Sequence, residues 1–305
     1  MRQSILLVVI ACASIFITSC KTFEDETEDT RQLRENEQAI LNYLSTNNLT
    51  AEQTDQGLYY VITKANPEGQ AATLGSKAVL HYVGSLLSGT VIDSTSSFFN
   101  EPREFIFDGN PDGTKVLTGI ELGAVRLKEG EQATLFIPYN LAYGRASQGN
   151  IPPYSVVKYE ISSFEIKTER EQMLEFAAAD SLTYIERDSL FTAHIIQAPD
   201  DNTTLPKAGI DSNVTVAYTG RFLDGTIFDT NDNFTFNLRA KDADNSEVIN
   251  GWNIAVNGMR VGDKKVVLIY SNLAYGASGS TDNNNNIVIP PYSIIWFEIE
   301  LKSVN

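Results

Sequence analysis

The pattern of apolar and polar positions is sharpest near the C-terminal end of the chain. Apolar side chains stand at Ile295, Phe297, Ile299 and Leu301, and residues 296, 298, 300 and 302 fall on the opposite face. This period of two predicts a β-strand with one buried face. Val214, Val216 and Tyr218 alternate in the same way, and the following Asp224-Gly225 predicts a hairpin turn. We therefore expect a chain rich in antiparallel sheet.

Two other stretches place apolar residues three and four apart, which is the spacing of an amphipathic helix. The first stretch contains Leu33, Ile40, Leu41 and Leu44. The second contains Met173, Leu174, Ala177, Ala178, Leu182 and Ile185, and it follows the capping-box pattern of residues 168–171. We expect each helix to pack on its own domain. Self-association or binding of a target protein is the alternative.

A short central helix is predicted in each half of the chain. In the second half it covers residues 251–257, with Asn250 as the N-cap and Gly258 directly after its end. In the first half the equivalent helix is expected to start after Thr118.

Four motifs occur twice and in the same order. Residues 81–84, 89–93, 140–144 and 151–155 correspond to residues 217–220, 225–229, 272–276 and 289–293. The separation varies between 132 and 138 residues, so the length differences fall in loops, one of them around residues 282–286. A period this long indicates a duplicated domain rather than a solenoid.

Charge and composition restrict the chemistry that the chain can perform. The 305 residues carry a formal net charge of −16 and include only two histidines and two cysteines. Acidity without a basic patch argues against nucleic-acid binding. Two histidines and two cysteines make a metal site improbable, and we expect no metal and no cofactor. His81 and His194 lie in predicted strands and are interpreted as structural.

The N-terminal segment predicts export and a lipid anchor. A run of thirteen mostly apolar residues, 5–17, fits the core of a signal peptide and is too short to span a bilayer. The sequence Ile17-Thr18-Ser19-Cys20 resembles a bacterial lipobox, which implies lipidation of Cys20 and an anchor in the outer membrane of the cell envelope, with the leaflet undecided. We expect residues 1–19 to be a signal peptide and residues 20–30 an acidic tether.

In combination, the repeated motifs resemble the FKBP-type peptidyl-prolyl cis-trans isomerases. Copy two shows Ala217-Tyr218-Thr219-Gly220, Gly225-Thr226-Ile227-Phe228-Asp229, Leu273-Ala274-Tyr275-Gly276 and Ile289-Pro290-Pro291-Tyr292-Ser293 in the family's order. The resemblance implies an α+β fold with two domains, each a curved antiparallel sheet wrapped around a short helix and preceded by a helical segment. The expected domains are 31–167, with its core at 75–165, and 168–305, with its core at 209–304.

The resemblance also implies an activity, rotation about the bond that precedes a proline, and a pocket for it in copy two. The residues expected to act in catalysis are Tyr218, Phe228, Asp229, Trp252, Tyr275 and Phe297. The residues expected to complete substrate binding are Phe234, Phe236, Val248, Ile249 and Ile289. Trp252 would form the floor, and the Tyr275 hydroxyl and the Ile249 N–H would donate to substrate carbonyls. Plain core packing is the alternative interpretation of these aromatic residues.

Copy one departs from this pattern at three positions. The Trp position holds Ile120, the first wall Phe is Ile92 and the last Phe is Tyr159. The residues expected to match are Tyr82, Asp93, Phe105, Phe107, Val116, Leu117, Tyr143 and Ile151. Because an aliphatic floor leaves a less shaped cavity, we expect copy one to be the weaker catalyst or mainly a binding module.

Two functions follow as hypotheses. The first is a membrane-anchored isomerase that assists folding of cell-envelope proteins, with proline-containing segments as partners and domain 2 as the main catalyst. The second is a non-catalytic chaperone or scaffold, for example in gliding or secretion machinery. The acidic charge predicts faster association with basic or neutral clients. The client protein, the oligomeric state and the role of the 282–286 insert are not specified by the sequence.

Overall fold

The computed structural model describes residues 26–95, 101–111, 116–181, 183–187, 190–194, 204–244 and 246–305. The expected signal peptide, the lipidated Cys20 and most of the tether lie outside these residues. Among the described residues, no helix combines the length and apolar character needed to cross a membrane.

In its described residues, the first half contains two α-helices and seven strands. These are α1 (Glu28–Thr46), β1 (Glu52–Gln53), β2 (Tyr59–Lys64), β3 (Lys77–Leu86), β4 (Val91–Ser94), β5 (Arg103–Ile106), α2 (Thr118–Ala124), β6 (Gln132–Ile137) and β7 (Val157–Lys167). The strands form an antiparallel sheet in the order β1-β2-β6-β7-β3-β4, and β5 also pairs with β3. The short helix α2 packs on the concave side of this sheet, where the largest buried cluster of the half lies.

The second half repeats this arrangement. Its elements are α3 (Glu169–Ala179), β8 (Ile185–Arg187), β9 (Leu190–His194), β10 (Asn213–Phe222), β11 (Ile227–Asn237), α4 (Asn250–Val256), β12 (Lys264–Ile269), β13 (Ser280–Thr281), β14 (Ile287–Ile289) and β15 (Ile295–Val304). The sheet order β11-β10-β15-β12-β9-β8 corresponds strand by strand to the first half. The 282–286 insert is the turn of a separate hairpin between β13 and β14. The predicted α+β fold with two similar domains is confirmed.

The predicted alternation along the last strand is also confirmed. Ile295, Phe297, Ile299 and Leu301 are buried under α4, whereas their neighbours on β15 are half-buried or exposed. The predicted turn at Asp224-Gly225 joins β10 to β11, and Gly225 has the positive φ of 87° that a tight turn requires.

Both central helices begin one residue earlier than predicted. Asn250 is the first residue of α4 rather than its cap, and the N-cap is Ile249, which makes no side-chain capping bond. The Asn250 amide instead pairs with Asp242, donating to its carboxylate at 2.9 Å. Likewise α2 starts at Thr118 itself. These helices are held by packing, since a Cβ added at Gly251 would lie 2.6 Å from Ile269.

The longer helices α1 and α3 cover the convex faces of the two sheets. Ile40 and Leu44 of α1 pack with Tyr59, Phe136 and Val156. Met173 of α3 packs in the corresponding cluster of domain 2, with β9 and β12. Packing of each helix on its own domain, the first of the two interpretations, therefore agrees with the structure, although Leu33, Leu41 and Leu174 remain exposed.

Two boundaries differ from the sequence prediction. The tether was expected to extend to residue 30, but α1 begins at Glu28 because the Thr27 hydroxyl accepts a bond from the Thr30 N–H. The helical stripe was expected to reach Ile185, but α3 ends at Ala179 and Ile185 lies on β8. The capping box at Thr168 and Glu171 is present as predicted.

The start of α3 contacts both domains. The Gln172 amide donates to the carbonyl of Gly75 in domain 1 at 3.1 Å. The Glu169 carboxylate accepts from the Ser271 N–H of domain 2 at 2.8 Å and from its hydroxyl at 2.6 Å. One helical turn thus joins a loop of each domain.

Candidate functional site

Domain 2 contains a cavity of about 390 Å³ between α4 and the concave face of its sheet. It is lined by Tyr218, Asp229, Phe234, Ser246, Glu247, Val248, Ile249, Trp252, Tyr275 and Phe297. Eight of these residues were predicted from the sequence. They come from β10, β11, α4, β15 and the segments before α4 and after β12, so the fold gathers residues that are distant in the chain.

Trp252 forms the floor of this cavity and is 4% exposed. Its ring lies edge-on to Tyr218 at 4.7 Å between centroids and to Phe297 at 5.2 Å. The ring centroids of Phe236 and Phe234 lie 5.6 and 5.9 Å from that of Trp252. Aromatic pairs at these separations fix ring orientation as well as burying apolar area. The floor is therefore rigid and apolar.

Three predicted residues stand behind the cavity wall rather than on it. Phe228 packs edge-on against Phe297 at 5.6 Å, and Phe236 stacks on Phe234 at 5.7 Å. Ile289 is buried in the domain 2 core. These three support the lining residues from behind. The sequence pattern could not separate the two roles because core and pocket are continuous here.

Two lining residues were missed by the sequence analysis. Ser246 and Glu247 precede the predicted Val248 and Ile249, and they lie at the mouth of the cavity. The Ser246 hydroxyl accepts from the Asn253 amide at 2.8 Å and donates to the Val248 carbonyl at 2.8 Å. Their position directly before two wall residues was the available signal. Polar residues in a loop carry no distinctive pattern, which is why they escaped notice.

Polar groups stand at one side of the apolar cavity. The Tyr218 hydroxyl donates to Asp229 Oδ2 at 2.6 Å. Burial and the Asp229 carboxylate together raise the pKa of Tyr218 above its ordinary value. Burial, and then the Asp229 charge, also raises the pKa of Tyr275. Both hydroxyls therefore keep their protons at neutral pH and can donate hydrogen bonds.

The Tyr275 hydroxyl can form a hydrogen bond with a ligand. Within the described part of the chain it makes no hydrogen bond, and neither does the Ile249 N–H. Two donors that face an apolar cavity can hold two carbonyl groups of a bound peptide in fixed positions. The arrangement suits binding and distortion of an uncharged backbone segment.

The equivalent site of domain 1 has a different hydrogen-bond network. The Tyr82 hydroxyl donates to Asp93 Oδ2 at 2.8 Å, as in domain 2. Tyr159, which takes the place of Phe297, adds a hydroxyl that lies 3.3 Å from Asp93 Oδ2 and 2.9 Å from the Tyr143 hydroxyl. Tyr143 is the counterpart of Tyr275. Its hydroxyl is thus already engaged within the protein.

The other predicted residues of domain 1 form its core and the edge of the site. Ile120 is 1% exposed and occupies the floor position, and Ile92 and Leu117 are partly buried against the same cluster. Val116 and Ile151 are buried. Ile92 lies on β4 and Ile120 on α2, and residues 116–117 directly precede α2, as residues 248–249 precede α4.

The predicted match of Phe105 and Phe107 to Phe234 and Phe236 is wrong by two residues. Ala78 pairs with Phe105 on β5, whereas the corresponding Val214 pairs with Phe236 on β11. Phe107 consequently corresponds to Leu238. The connection between β4 and β5 is longer than its counterpart in domain 2, so the two sequences align differently here. The spacing to the next motif did not show whether the extra residues lay before or after the phenylalanines.

This register places Arg103 where domain 2 has Phe234. Leu80 pairs with Arg103, and the corresponding Val216 pairs with Phe234. The Arg103 guanidinium lies close enough to lower the pKa of the Tyr82 hydroxyl, which itself donates to Asp93 Oδ2. Burial, despite the opposing effect of Arg103, raises the pKa of Tyr82 to about 12. A cation therefore replaces an aromatic wall.

Neither site presents the groups that metal or nucleophilic chemistry requires. Among the described residues, no group of three or more His, Cys, Asp or Glu side chains could hold a metal ion. His81 contacts the Thr95 hydroxyl at 3.1 Å and lies outside the cluster around Tyr82, Asp93 and Tyr159. The domain 2 cavity, with its aromatic floor, can bind an apolar group such as a proline ring.

Known relatives share the domain found twice in this chain. The family model described as "FKBP-type peptidyl-prolyl cis-trans isomerase" matches residues 68–163 and 206–302, together more than half of the chain. Peptidyl-prolyl cis-trans isomerase FKBP9 of Homo sapiens is 28% identical over 223 residues, which cover 72% of this chain and 33% of that protein. FK506-binding protein 59 of Drosophila melanogaster is 29% identical over 249 residues, which cover 81% of this chain and 50% of the relative.

Among solved structures, FkpA from Escherichia coli is 28% identical, with a TM-score of 0.37, and the match covers 45% of this chain and 62% of FkpA. The chain spans a third to a half of the length of the two curated relatives described above. On the evidence of the two matched segments and the duplicated fold, the chain belongs to the FKBP-type peptidyl-prolyl cis-trans isomerase family.

Proposed function

We propose that the protein is a peptidyl-prolyl cis–trans isomerase in which domain 2 supplies most of the catalysis. The observation that carries this proposal is the domain 2 cavity, which combines an aromatic floor with the unengaged donors Tyr275 and Ile249 N–H. The family to which the chain belongs supports the same activity. Proline-containing segments of other proteins are the proposed substrates.

The geometry suits rotation of a peptide bond. The barrier of about 18–20 kcal/mol arises from amide resonance, which separates charge between oxygen and nitrogen. An apolar cavity around the proline ring favours the twisted amide, because twisting reduces that charge separation. Donors at Tyr275 and Ile249 can then bind the flanking carbonyls more strongly in the twisted state than in either planar state. This differential binding is sufficient for catalysis without a nucleophile or a metal.

The proposal is tested with the full chain and a short Xaa-Pro peptide whose isomerisation is followed by coupled proteolysis at low temperature. Tyr275→Phe removes one donor and leaves the ring, so kcat/KM should fall roughly two- to tenfold, the equivalent of one net hydrogen bond. Tyr270→Phe is the matched control, because that hydroxyl lies near Glu186 under α3 and away from the cavity. Tyr143→Phe should have a smaller effect than Tyr275→Phe.

Two outcomes would count against this function. If the full chain does not accelerate isomerisation above the uncatalysed rate, domain 2 is not a catalyst. If Tyr143→Phe costs more activity than Tyr275→Phe, the assignment of the main catalytic site to domain 2 is wrong.

A non-catalytic binding role is the second candidate, and it applies best to domain 1. The observation that favours it is the hydrogen bond between the Tyr143 and Tyr159 hydroxyls, which engages the counterpart of the Tyr275 hydroxyl. A chaperone or scaffold would retain its cellular function when Tyr275→Phe or Phe228→Ala lowers the isomerase rate. Loss of function in step with activity would reject this candidate.

We further propose that the protein works in the cell envelope, anchored by lipid on Cys20. The support is the sequence of residues 1–20, with its apolar run and its resemblance to a lipobox. Incorporation of a labelled fatty acid should be lost in Cys20→Ser and retained in Cys12→Ser. Equal labelling of both variants would disprove the anchor. Assistance to envelope-protein folding is the role that this location suggests.

A further inference from the structure

The charged groups at the two equivalent sites differ. In domain 2 the lining includes two carboxylates, Asp229 and Glu247, and Phe234 is apolar. In domain 1 the corresponding network contains one carboxylate, Asp93, and the Arg103 guanidinium at the Phe234 position. At the positions described in both domains, domain 2 carries the single negative charge of Asp229, whereas the charges of Asp93 and Arg103 cancel in domain 1.

Arg103 is placed to meet a bound segment. Because Phe234 lines the domain 2 cavity, a side chain at this position of the strand pair faces the ligand site. Arg103 itself is exposed, so its guanidinium is accessible from solvent. It lies beside the Tyr82 hydroxyl, which donates to Asp93 Oδ2. A guanidinium carries five N–H donors, so Arg103 can meet a ligand carboxylate from this position.

We propose that the domain 1 pocket binds proline-containing segments with an acidic side chain next to the proline, and that Arg103 selects them. This inference rests on the proposed function of the pockets as binding sites for proline segments. A carboxylate meets the planar guanidinium in a two-point geometry that lysine cannot reproduce. The domain 2 pocket, with two carboxylates, should disfavour the same ligand. One chain would then hold two pockets of opposite preference.

The experiment uses the full chain and three dye-labelled peptides that differ only in Glu, Ala or Lys before the proline. Total binding is followed by fluorescence anisotropy. Binding to domain 2 is followed separately through tryptophan emission, because both tryptophans, Trp252 and Trp296, lie in that domain and Trp252 is its pocket floor. Binding that is silent in tryptophan emission is assigned to domain 1.

The binding assigned to domain 1 should be about two- to fivefold tighter for the Glu peptide than for the Lys peptide, which is the range of a partly exposed ion pair. The preference should shrink in high salt. Arg103→Phe, which introduces the domain 2 residue, should abolish it, and Arg103→Lys should retain part of it. In domain 2, Phe234→Arg should shift the tryptophan-detected binding towards the Glu peptide. Circular dichroism establishes that each variant is folded.

If the ratio of the affinities for the Glu and Lys peptides is the same in the wild-type chain and in Arg103→Phe, the inference is overturned and the proposed function is left intact. Failure of all three peptides to bind either domain would instead reject the proposed function, and the inference with it. A Glu preference confined to the tryptophan-detected site would also overturn the assignment to domain 1.

Discussion

The two halves of this chain place different side chains at equivalent positions of one common fold. Both domains use the same strand order, the same central helix and the same pair of Tyr and Asp, at Tyr82 and Asp93 or Tyr218 and Asp229. Three of the exchanges change the character of the site most. Arg103, Ile120 and Tyr159 in domain 1 stand where domain 2 has Phe234, Trp252 and Phe297.

The exchange at Tyr159 has the widest consequence for hydrogen bonding. A single added hydroxyl contacts both Asp93 and Tyr143, so it engages a Tyr143 hydroxyl whose counterpart Tyr275 makes no hydrogen bond within the described residues. The tyrosine fits because Gly84 faces its ring, just as Gly220 faces Phe297 and Phe228. The backbone thus accepts either Tyr or Phe at this position. The side chain determines whether the neighbouring tyrosine hydroxyl is hydrogen-bonded within the protein.

The largest effect is expected when the domain 2 floor is removed. Trp252→Ala deletes a ring that contacts four others, and the unfolding free energy of domain 2 should fall by about 3–5 kcal/mol. Urea denaturation followed through Trp296, the remaining tryptophan, reports this domain alone. The unfolding of domain 1, followed by hydrogen exchange of its backbone amides, should not change. A loss below about 1 kcal/mol would show that the aromatic cluster is not what holds α4.

The helices that precede the domains offer a second comparison, since each fixes a turn of its own domain with a different side chain. Buried Asn36 accepts from the Tyr139 N–H and donates to the Tyr154 carbonyl, both at 2.9 Å. Glu169 binds Ser271 in the corresponding turn of domain 2. Asn36→Ala should cost about 1–3 kcal/mol, because two backbone groups lose their partner.

The matched control for this prediction lies on the exposed face of the same helix. The Gln38 side chain bonds only Asn42, four residues on, and Gln38→Ala should stay within about 0.5 kcal/mol of the wild-type chain. Urea unfolding of both variants gives the comparison. Equal losses would mean that Asn36 acts through helix propensity rather than through its two tertiary bonds.

Much of this arrangement was predictable from local patterns. The alternation on β15, the capping box of α3 and the repeated motifs specified the sheet, the helix start and the duplication. Such features depend on neighbours in the chain, and the periodicity displays them directly. The pairing of Tyr218 with Asp229 was also expected, because both residues belong to motifs with fixed spacing.

The features that escaped prediction depend on contacts between distant strands. Arg103 could be placed only from its pairing with Leu80, since the connection before β5 has no counterpart of equal length in domain 2. The engagement of Tyr143 required the distance to Tyr159, sixteen residues away on another element. Phe228 and Phe236 looked like wall residues because aromatic character alone does not distinguish a lining ring from the one behind it.

A reciprocal exchange of one hydroxyl tests the explanation for the difference between the sites. Phe297→Tyr should bring a hydroxyl to Asp229 and Tyr275, and the isomerase rate should fall roughly two- to tenfold. Tyr159→Phe should free Tyr143, strengthen peptide binding to domain 1 and cost domain 1 about 1 kcal/mol of stability. Peptide titrations and urea unfolding measure these effects. An unchanged rate in Phe297→Tyr would show that the Tyr275 donor is dispensable.

The smallest effect is expected from pH in the neutral range. Burial raises the pKa of Tyr275 above its ordinary value of 10.0, so the donor stays protonated and the isomerase rate should change less than about twofold between pH 6 and 9.

Above pH 10 the unfolded chain releases tyrosine protons that the folded chain retains. The Tyr82 hydroxyl, for example, keeps its proton in the folded chain up to about pH 12. The stability these tyrosines contribute is complete below pH 10 and is lost as pH rises further. Urea midpoints at pH 8 and 11 measure the decline. Tyr159→Phe should lessen it in domain 1, because burial raises the pKa of Tyr159 as well. A midpoint in domain 1 that moves equally with and without the Tyr159 hydroxyl would show that its ionisation is not linked to unfolding.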